Sequence, residues 1–465
     1  MGEMRRPRLG VLGLMLGAYE PIFPGIAARQ ERYVAALLAD LAAHADFDFP
    51  RAALGREDIE EIVAGFGRKD VDGILILLLT YSPGQHLVRA LQDTRLPVAL
   101  ALVQPDDRAE DAFGELELTV NQGIHGAQDN ANALLRAGIR CPFFAGSRRD
   151  AAFGRFVGDF AAAARTARAL RGMRIGVVGR LAGMGDVVGD DMAFYRRIGP
   201  ELVVDSVGTL WRAVEAVAPE DVAARVAQDR ATFAVDPGLA PESHATAVRY
   251  YLGLRAWLEA NRFSGYTAHF EEFGADGRFL QLPLLAASHL LADGYGYAAE
   301  GDGTTAALVA ALRLLAGNAD FSEMYMMDFA REAVLFSHQG EGNWTMARRG
   351  TKPRLIDRFL GEGGLADPPT VLFEAEPGPA TVAALAHLGG ERYRLVAAAG
   401  EMLAEPCLPR VEQPHFFFRP ASGVRAFATR WLELGAPHHE AVAPGDVRGR
   451  LAALCRILDI EYAEA

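Results

Sequence analysis

Four side chains in the C-terminal half of this 465-residue chain have the types and settings for metal-assisted proton transfer. They are Glu300 in Ala-Glu-Gly-Asp, Glu323 in Phe-Ser-Glu-Met-Tyr, His338 in Phe-Ser-His-Gln and His439 in Gly-Ala-Pro-His-His. Two carboxylates and two imidazoles make a ligand set for one divalent ion. Oxygen and nitrogen donors without thiolate suit Mn²⁺, Co²⁺, Fe²⁺ or Mg²⁺ better than a structural zinc. Such an ion polarises two neighbouring oxygens of a polyol while a carboxylate moves a proton, which is the chemistry of isomerising a free sugar.

Each position also has a plainer reading. Asp302 or Thr304 accounts for a helix cap after Glu300, since both side chains accept hydrogen bonds from free amides. Capping leaves Glu300 itself unexplained, because it lies in an apolar run before the turn. A lone His beside an apolar strand is commonly a satisfied core histidine, and paired histidines such as His438-His439 occur in many loops. Glu323 and His338 stand 338 − 323 = 15 residues apart, a spacing that suits a hairpin or a bulged strand pair.

The elements that must hold these residues can be read from periodicity. Residues 9–16, 73–79 and 97–102 are short apolar runs that read as buried parallel strands. Residues 27–44, 85–92 and those after His125 read as the helices between them. Apolar strands joined by helical crossovers predict a doubly wound α/β domain over residues 1–172. A second such unit is predicted over 173–317, with strands near 202–205 and 267–269 and helices over 243–259, 282–293 and 304–315. After Asn318 short strands separated by Gly and Pro predict a strand-rich third domain over 318–465, closed by helices at 424–433 and 446–458. The expected class is therefore α/β, with two doubly wound parallel-sheet domains followed by a strand-rich C-terminal domain.

Seven segments, in order, resemble the L-arabinose isomerase family. Gly294-Tyr-Gly-Tyr-Ala-Ala-Glu300-Gly-Asp is similar to its glycine-aromatic segment ending in a metal-binding glutamate. Phe321-Ser-Glu323 with Leu335-Phe-Ser-His338, and Gly435-Ala-Pro-His438-His439, resemble its second glutamate and its two ligand histidines. Thr80-Tyr81-Ser-Pro, Asn121-Gln122-Gly-Ile-His125-Gly, Thr267-Ala-His-Phe270-Glu with Gln281-Leu-Pro, and Gly183-Met184-Gly-Asp resemble its substrate loops. The resemblance implies that Glu300, Glu323, His338 and His439 hold a divalent metal, most often Mn²⁺, with Co²⁺ or Mg²⁺ as alternatives. It implies that the two glutamates act as acid and base through an enediol. It further implies that Tyr81, Gln122, His125, Met184, Phe270 and His438 contact an unphosphorylated sugar. Tyr81, Gln122 and His125 would come from a neighbouring subunit, which implies a homo-trimer or homo-hexamer.

This chain departs from the family at several points. Its first strand leads into Gly17-Ala18-Tyr19-Glu20 instead of Gly-Ser-Gln, Gly303-Thr304 replaces Trp-Lys, and Pro437 precedes the paired histidines. These departures fall where distal hydroxyls would be read, so they predict a sugar preference other than L-arabinose.

Two further classes compete on the same fold. Met173–Gly185 is strand-like and ends in a glycine-rich turn, as in nucleotide-binding proteins. However, glycines 176, 179, 183 and 185 do not fit GxGxxG, and no phosphate-binding lysine follows. A non-catalytic sugar binder would have no use for two carboxylates held beside a metal, since they are costly to keep together.

Composition narrows the rest. A net charge of −13 with no compensating basic stripe argues against nucleic-acid binding. No apolar run reaches the roughly 18 residues of a membrane span. Residues 9–18 lack a signal-cleavage pattern and read as a buried first strand. Cys141, Cys407 and Cys455 show no metal or disulfide spacing and fit a reducing cytoplasm.

Overall fold

The computed structural model describes residues 5–181, 189–360 and 364–465. The chain divides into two compact units. One holds residues up to Arg168 together with Ala452–Asp459, and the other holds Ala169–Leu451 together with Ile460–Ala465.

The first unit is built on a six-stranded parallel sheet. Its strands run in the order Asp46–Asp48, Arg8–Leu14, Gly73–Leu78, Val98–Leu102, Phe143–Ala145, and Ala52–Ala53 also pairs with Arg8–Leu14. Alternation along these strands fills two separate cores. Leu9, Val11, Leu75, Leu77 and Ala99 face one, while Leu12, Leu14, Ile74, Ile76 and Leu100 face the other. Apolar side chains on both faces are what a doubly covered parallel sheet requires.

The second unit combines a parallel sheet and a barrel. The sheet has four strands in the order Gly296–Ala299, Gly265–Ala268, Arg174–Val178, Glu201–Val204. The barrel is a closed antiparallel ring of six strands. Gly378–His387 pairs with Glu440–Pro444, then come Asp320–Asp328, Ala333–Ser337, His415–Pro420 and Tyr393–Met402, which pairs back to Gly378–His387. Glu461–Glu464 adds a parallel strand to Tyr393–Met402. Val334, Phe336, Val382, Val396, Phe416, Phe418 and Val442 belong to the barrel core, and Phe336 stacks on Phe416 with ring centroids 5.4 Å apart. A ring of this kind leaves no edge within it to pair with another chain.

Helix Gly303–Ala316 touches strands of both the parallel sheet and the barrel. Its sequence, Gly-Thr-Thr-Ala-Ala-Leu-Val-Ala-Ala-Leu, is apolar or small nearly all round, and these residues are buried. A helix without a polar face is one that packs on both sides. This helix begins three residues after Glu300, so the segment between sheet and barrel also carries the first of the four chemistry-bearing residues.

Candidate active site

Glu300 comes from the parallel sheet. Strand Gly296–Ala299 ends there, and Glu300, Gly301 and Asp302 turn the chain into the buried helix. Glu300 has φ +64°, a left-handed conformation that costs a residue with a β-carbon roughly 1–2 kcal/mol. The turn is fixed by Glu300 N donating to Ala268 O at 3.0 Å, and by Leu181 N donating to Glu300 O at 2.9 Å. Gly301 N donates to the buried Thr267 hydroxyl at 3.0 Å. At Gly301, with φ +91°, a β-carbon would lie 2.5 Å from Arg180 Cα. A carboxylate held in an unfavourable conformation at the carboxyl edge of a parallel sheet points to function rather than packing.

The other three come from the barrel, and register brings them together. Glu323 pairs with Ser337, so His338 is one residue beyond its partner. Ser322 pairs with Glu440 on the other side, so His439 stands one residue before that partner. A bulge between Met324 and Met326 follows Glu323 directly, a device that re-aims side chains at barrel rims.

Glu323 Oε1 lies 3.5 Å from His338 Nε2 and 3.2 Å from His439 Nε2. Glu300 Oε2 lies 3.7 Å from the same His439 nitrogen. Ligands at right angles around one ion, each about 2.1 Å away, stand roughly 3 Å apart, so these separations suit a shared cation. His439 Nε2 is also buried without a well-formed hydrogen bond. A buried nitrogen facing two carboxylates is an environment that a cation completes, and the donor set fits a hard divalent ion.

Among the described residues, the donor atoms of Glu300, His438 and His439 also gather within 4.8 Å of one another. That grouping has His438 in place of Glu323 and His338. His438 is the most exposed of these residues, its ring leans on His439 at 4.3 Å, and its Nε2 stays 3.9 Å from Glu323. The shorter contacts favour Glu323 and His338 as inner partners, with His438 at the mouth.

Electrostatics follow from burial and pairing. Burial works to raise the Glu323 carboxyl, but His439, His338 and His438 outweigh it and hold it below the usual carboxylate range. Burial works to lower His439, and Asp302 and Glu323 overcome that, raising it to about 10. His338 is likewise raised, because Glu341 and Glu323 outweigh its burial. Glu440, buried with an unpartnered Oε2, is pushed well above the carboxylate range by burial and by the Glu323 charge. Phe321 packs between the histidines, 4.9 Å from His338 and 5.1 Å from His439 by ring centroids.

Glu300 and His338 also line a cavity of about 270 Å³ whose other walls include Tyr266, Phe270, Phe273, Leu282, Leu284 and Tyr297. Phe270 opens the helix Phe270–Asp276 and stands on the wall of that cavity.

In the other unit, Tyr81 follows strand Gly73–Leu78, and its hydroxyl donates to Asp129 Oδ2 at 3.2 Å. Gln122 and the exposed His125 begin helix Gly123–Arg136. That helix sits directly on the sheet edge: a β-carbon on Gly123 would lie 2.4 Å from Leu78 O, and one on Gly126 would lie 2.9 Å from Ser82 N. Tyr81, Gln122 and His125 thus gather at the carboxyl edge of the first sheet. Met184 lies outside the described residues. Glu20 does not stand free as a hydroxyl acceptor. Its carboxylate accepts from Gly25 N at 2.6 Å and Ala27 N at 3.0 Å, holding the start of helix Ile26–Asp40.

Sequence reasoning did not single out Glu341 or Tyr297, and it read Asp302 only as a cap. Asp302 does cap, accepting from Thr305 N at 2.8 Å, but its second oxygen meets His439 Nδ1 at 2.9 Å. Glu341 Oε2 meets His338 Nδ1 at 2.7 Å, and Tyr297 OH donates to Glu341 Oε1 at 2.5 Å. The available signal was the carboxylate three residues after His338 in His-Gln-Gly-Glu.

Comparison with known proteins identifies the family. A family model described as the L-arabinose isomerase central domain matches residues 183–318, and one described as its C-terminal domain matches 318–461. An L-arabinose isomerase of a Nocardioides species is 31% identical over 386 residues, covering 80% of this chain and 76% of that protein. One from an Arthrobacter species is also 31% identical, covering 80% of this chain and 75% of its own. One from Acidothermus cellulolyticus is 29% identical over 84% of this chain and 79% of its own. The chain belongs to the L-arabinose isomerase family and is a sugar isomerase.

Proposed function

We propose that the protein interconverts an unphosphorylated aldose and its 2-ketose, in a reaction of the L-arabinose to L-ribulose type. Glu300, Glu323, His338 and His439 would hold one divalent ion, Mn²⁺ in the first instance. The observation that carries this reading is the convergence of Glu323 Oε1 and Glu300 Oε2 on the orphaned Nε2 of His439. When bound, the ion supplies a Lewis acid that offsets negative charge developing on two neighbouring sugar oxygens. The hydrogen beside the carbonyl is weakly acidic, so its removal needs a positioned base. One glutamate takes it as a proton from C2 of the aldose. The other glutamate, or the conjugate acid of the first, returns a proton to C1 of the enediol, while the C2 hydroxyl proton passes to O1 so that C2 becomes the carbonyl. Phe270 and the apolar cavity wall exclude water from the reacting carbons, which protects the enediol. Tyr81, Gln122, His125, Met184 and His438 are proposed sugar contacts, the first three of them supplied by a neighbouring subunit of a homo-trimer or homo-hexamer.

The test is a panel of unphosphorylated aldoses and ketoses assayed with metal-stripped enzyme, with and without added Mn²⁺. Turnover should require the metal, and Glu300→Gln or His338→Ala should lose bound metal or turnover. Full activity of the metal-free protein would sink the proposal.

A further inference from the structure

The short segment from Tyr297 to Asp302 contributes to the site three times. It presents Glu300, and residues on either side of Glu300 reach across to the barrel. Tyr297 OH donates to Glu341 Oε1 at 2.5 Å, and the other oxygen of Glu341 meets His338 Nδ1 at 2.7 Å. Asp302 Oδ2 meets His439 Nδ1 at 2.9 Å, while its Oδ1 is held by Thr305 N at 2.8 Å. Tyr297, Asp302, Glu341, His338 and His439 are all buried, so each contact is free of competing water.

An ionised carboxylate only accepts hydrogen bonds, so Nδ1 of each histidine must carry the hydrogen. In the neutral ring the lone pair then resides on Nε2. Both Nε2 atoms point to the same carboxylate oxygen, Glu323 Oε1, at 3.5 Å and 3.2 Å. The two contacts have the same logic but different anchors, a helix cap for Asp302 and a phenol for Glu341.

We infer that Tyr297, Glu341 and Asp302 are positioning residues that hold both histidines by Nδ1, with Nε2 turned toward the proposed ion site before an ion arrives. The inference rests on the proposed metal site and adds to it the source of its preorganisation. A carboxylate behind a ligating imidazole fixes the ring and raises its basicity, and its loss typically costs about 10- to 100-fold in metal affinity. Tyr297 acts one step further out, by holding Glu341 in place. A merely structural role would lower stability without changing metal affinity.

The experiment is a chelator-competition titration of metal-stripped full-length protein with Mn²⁺, run beside thermal unfolding of the metal-free form. Glu341→Ala should weaken Mn²⁺ binding by about 10- to 100-fold. Glu341→Gln should recover part of the loss, because the amide oxygen still accepts from Nδ1. Tyr297→Phe removes one hydroxyl at constant shape and keeps the test open if Glu341→Ala fails to fold. It should weaken binding several-fold. If wild-type protein binds Mn²⁺ and Tyr297→Phe, together with Glu341→Ala where it folds, binds it equally tightly, the positioning role is overturned while the metal site stands. If wild-type protein takes up no Mn²⁺, the metal site falls and this inference falls with it.

Discussion

A β-carbon on Gly296 would lie 2.1 Å from the carbonyl oxygen of Ala306. Strand Gly296–Ala299 therefore presses on helix Gly303–Ala316 at the start of the segment that carries Glu300. No side chain fits between them, and only glycine allows this approach. Gly296→Ala should force the strand and helix apart, at a cost of about 1–3 kcal/mol for overpacking. It should also lower turnover by displacing Glu300. Thermal unfolding and kcat measured together check both effects, and a variant with wild-type stability would refute the close fit.

The proton path has an isotopic signature. If the glutamates work through an enediol, ketose formed in D₂O should carry deuterium at C1, the carbon that receives the proton. NMR of the product measures it. Complete retention of the substrate hydrogen would favour a hydride shift or a base fully shielded from solvent.

Sugar preference should depart from L-arabinose. Ala18 sits in the short turn Gly17–Tyr19 after the first strand and offers no hydrogen-bonding side chain. The neighbouring Glu20 is engaged by the amides of Gly25 and Ala27. A pocket that hydrogen-bonds a hydroxyl discriminates far more strongly than one that merely encloses it. Another pentose, a tetrose or a hexose should therefore be turned over better. Competitive assays over a sugar panel decide this, and the highest kcat/KM falling on L-arabinose would refute it.

Away from the site, Asp229 is fully buried among three donors. Arg225 Nε donates to it at 2.9 Å, and His244 Nε2 and His289 Nε2 approach at 3.1 Å and 3.3 Å. Burial works to raise this carboxyl, but His244, His289 and Arg225 outweigh it and hold it well below the usual range. Its contribution is therefore present in full above the unfolded-state pKa of about 3.9 and is lost as pH falls toward the depressed folded value. Asp229→Asn, which leaves Arg225 uncompensated, should cost about 3–5 kcal/mol near pH 7. Denaturant unfolding should show that gap narrowing below about pH 4, and equal stability at pH 7 would rule the contribution out.

Sequence was most informative where a pattern belongs to one element. Residues 73–79 read as a buried strand and form Gly73–Leu78, and residues 424–433 read as a helix and form Val424–Glu433. The fifteen-residue spacing of Glu323 and His338 also reads correctly as a hairpin, since Glu323 pairs with Ser337. Gly378–His387 does not read as a strand, because Ala-Thr-Val-Ala-Ala-Leu-Ala lacks alternation and alanine favours helix. Without that strand the ring cannot be closed, and the barrel reads as loose strands. Glu341 was hidden for a different reason. It lies between glycines in an apparent loop, and only the fold brings Tyr297 to it from 44 residues away.

The left-handed φ of Glu300 sets heat resistance and turnover against each other. Glycine enters that region without the steric cost a side chain incurs, so the backbone alone would favour its presence. A library carried through rounds of heating, with no screen for activity, would gain by replacing Glu300. On the proposed mechanism the survivors would fold well and isomerise nothing. Any evolutionary or engineering route to a hardier enzyme must therefore keep one unfavourable residue in place at position 300 and seek its gains elsewhere.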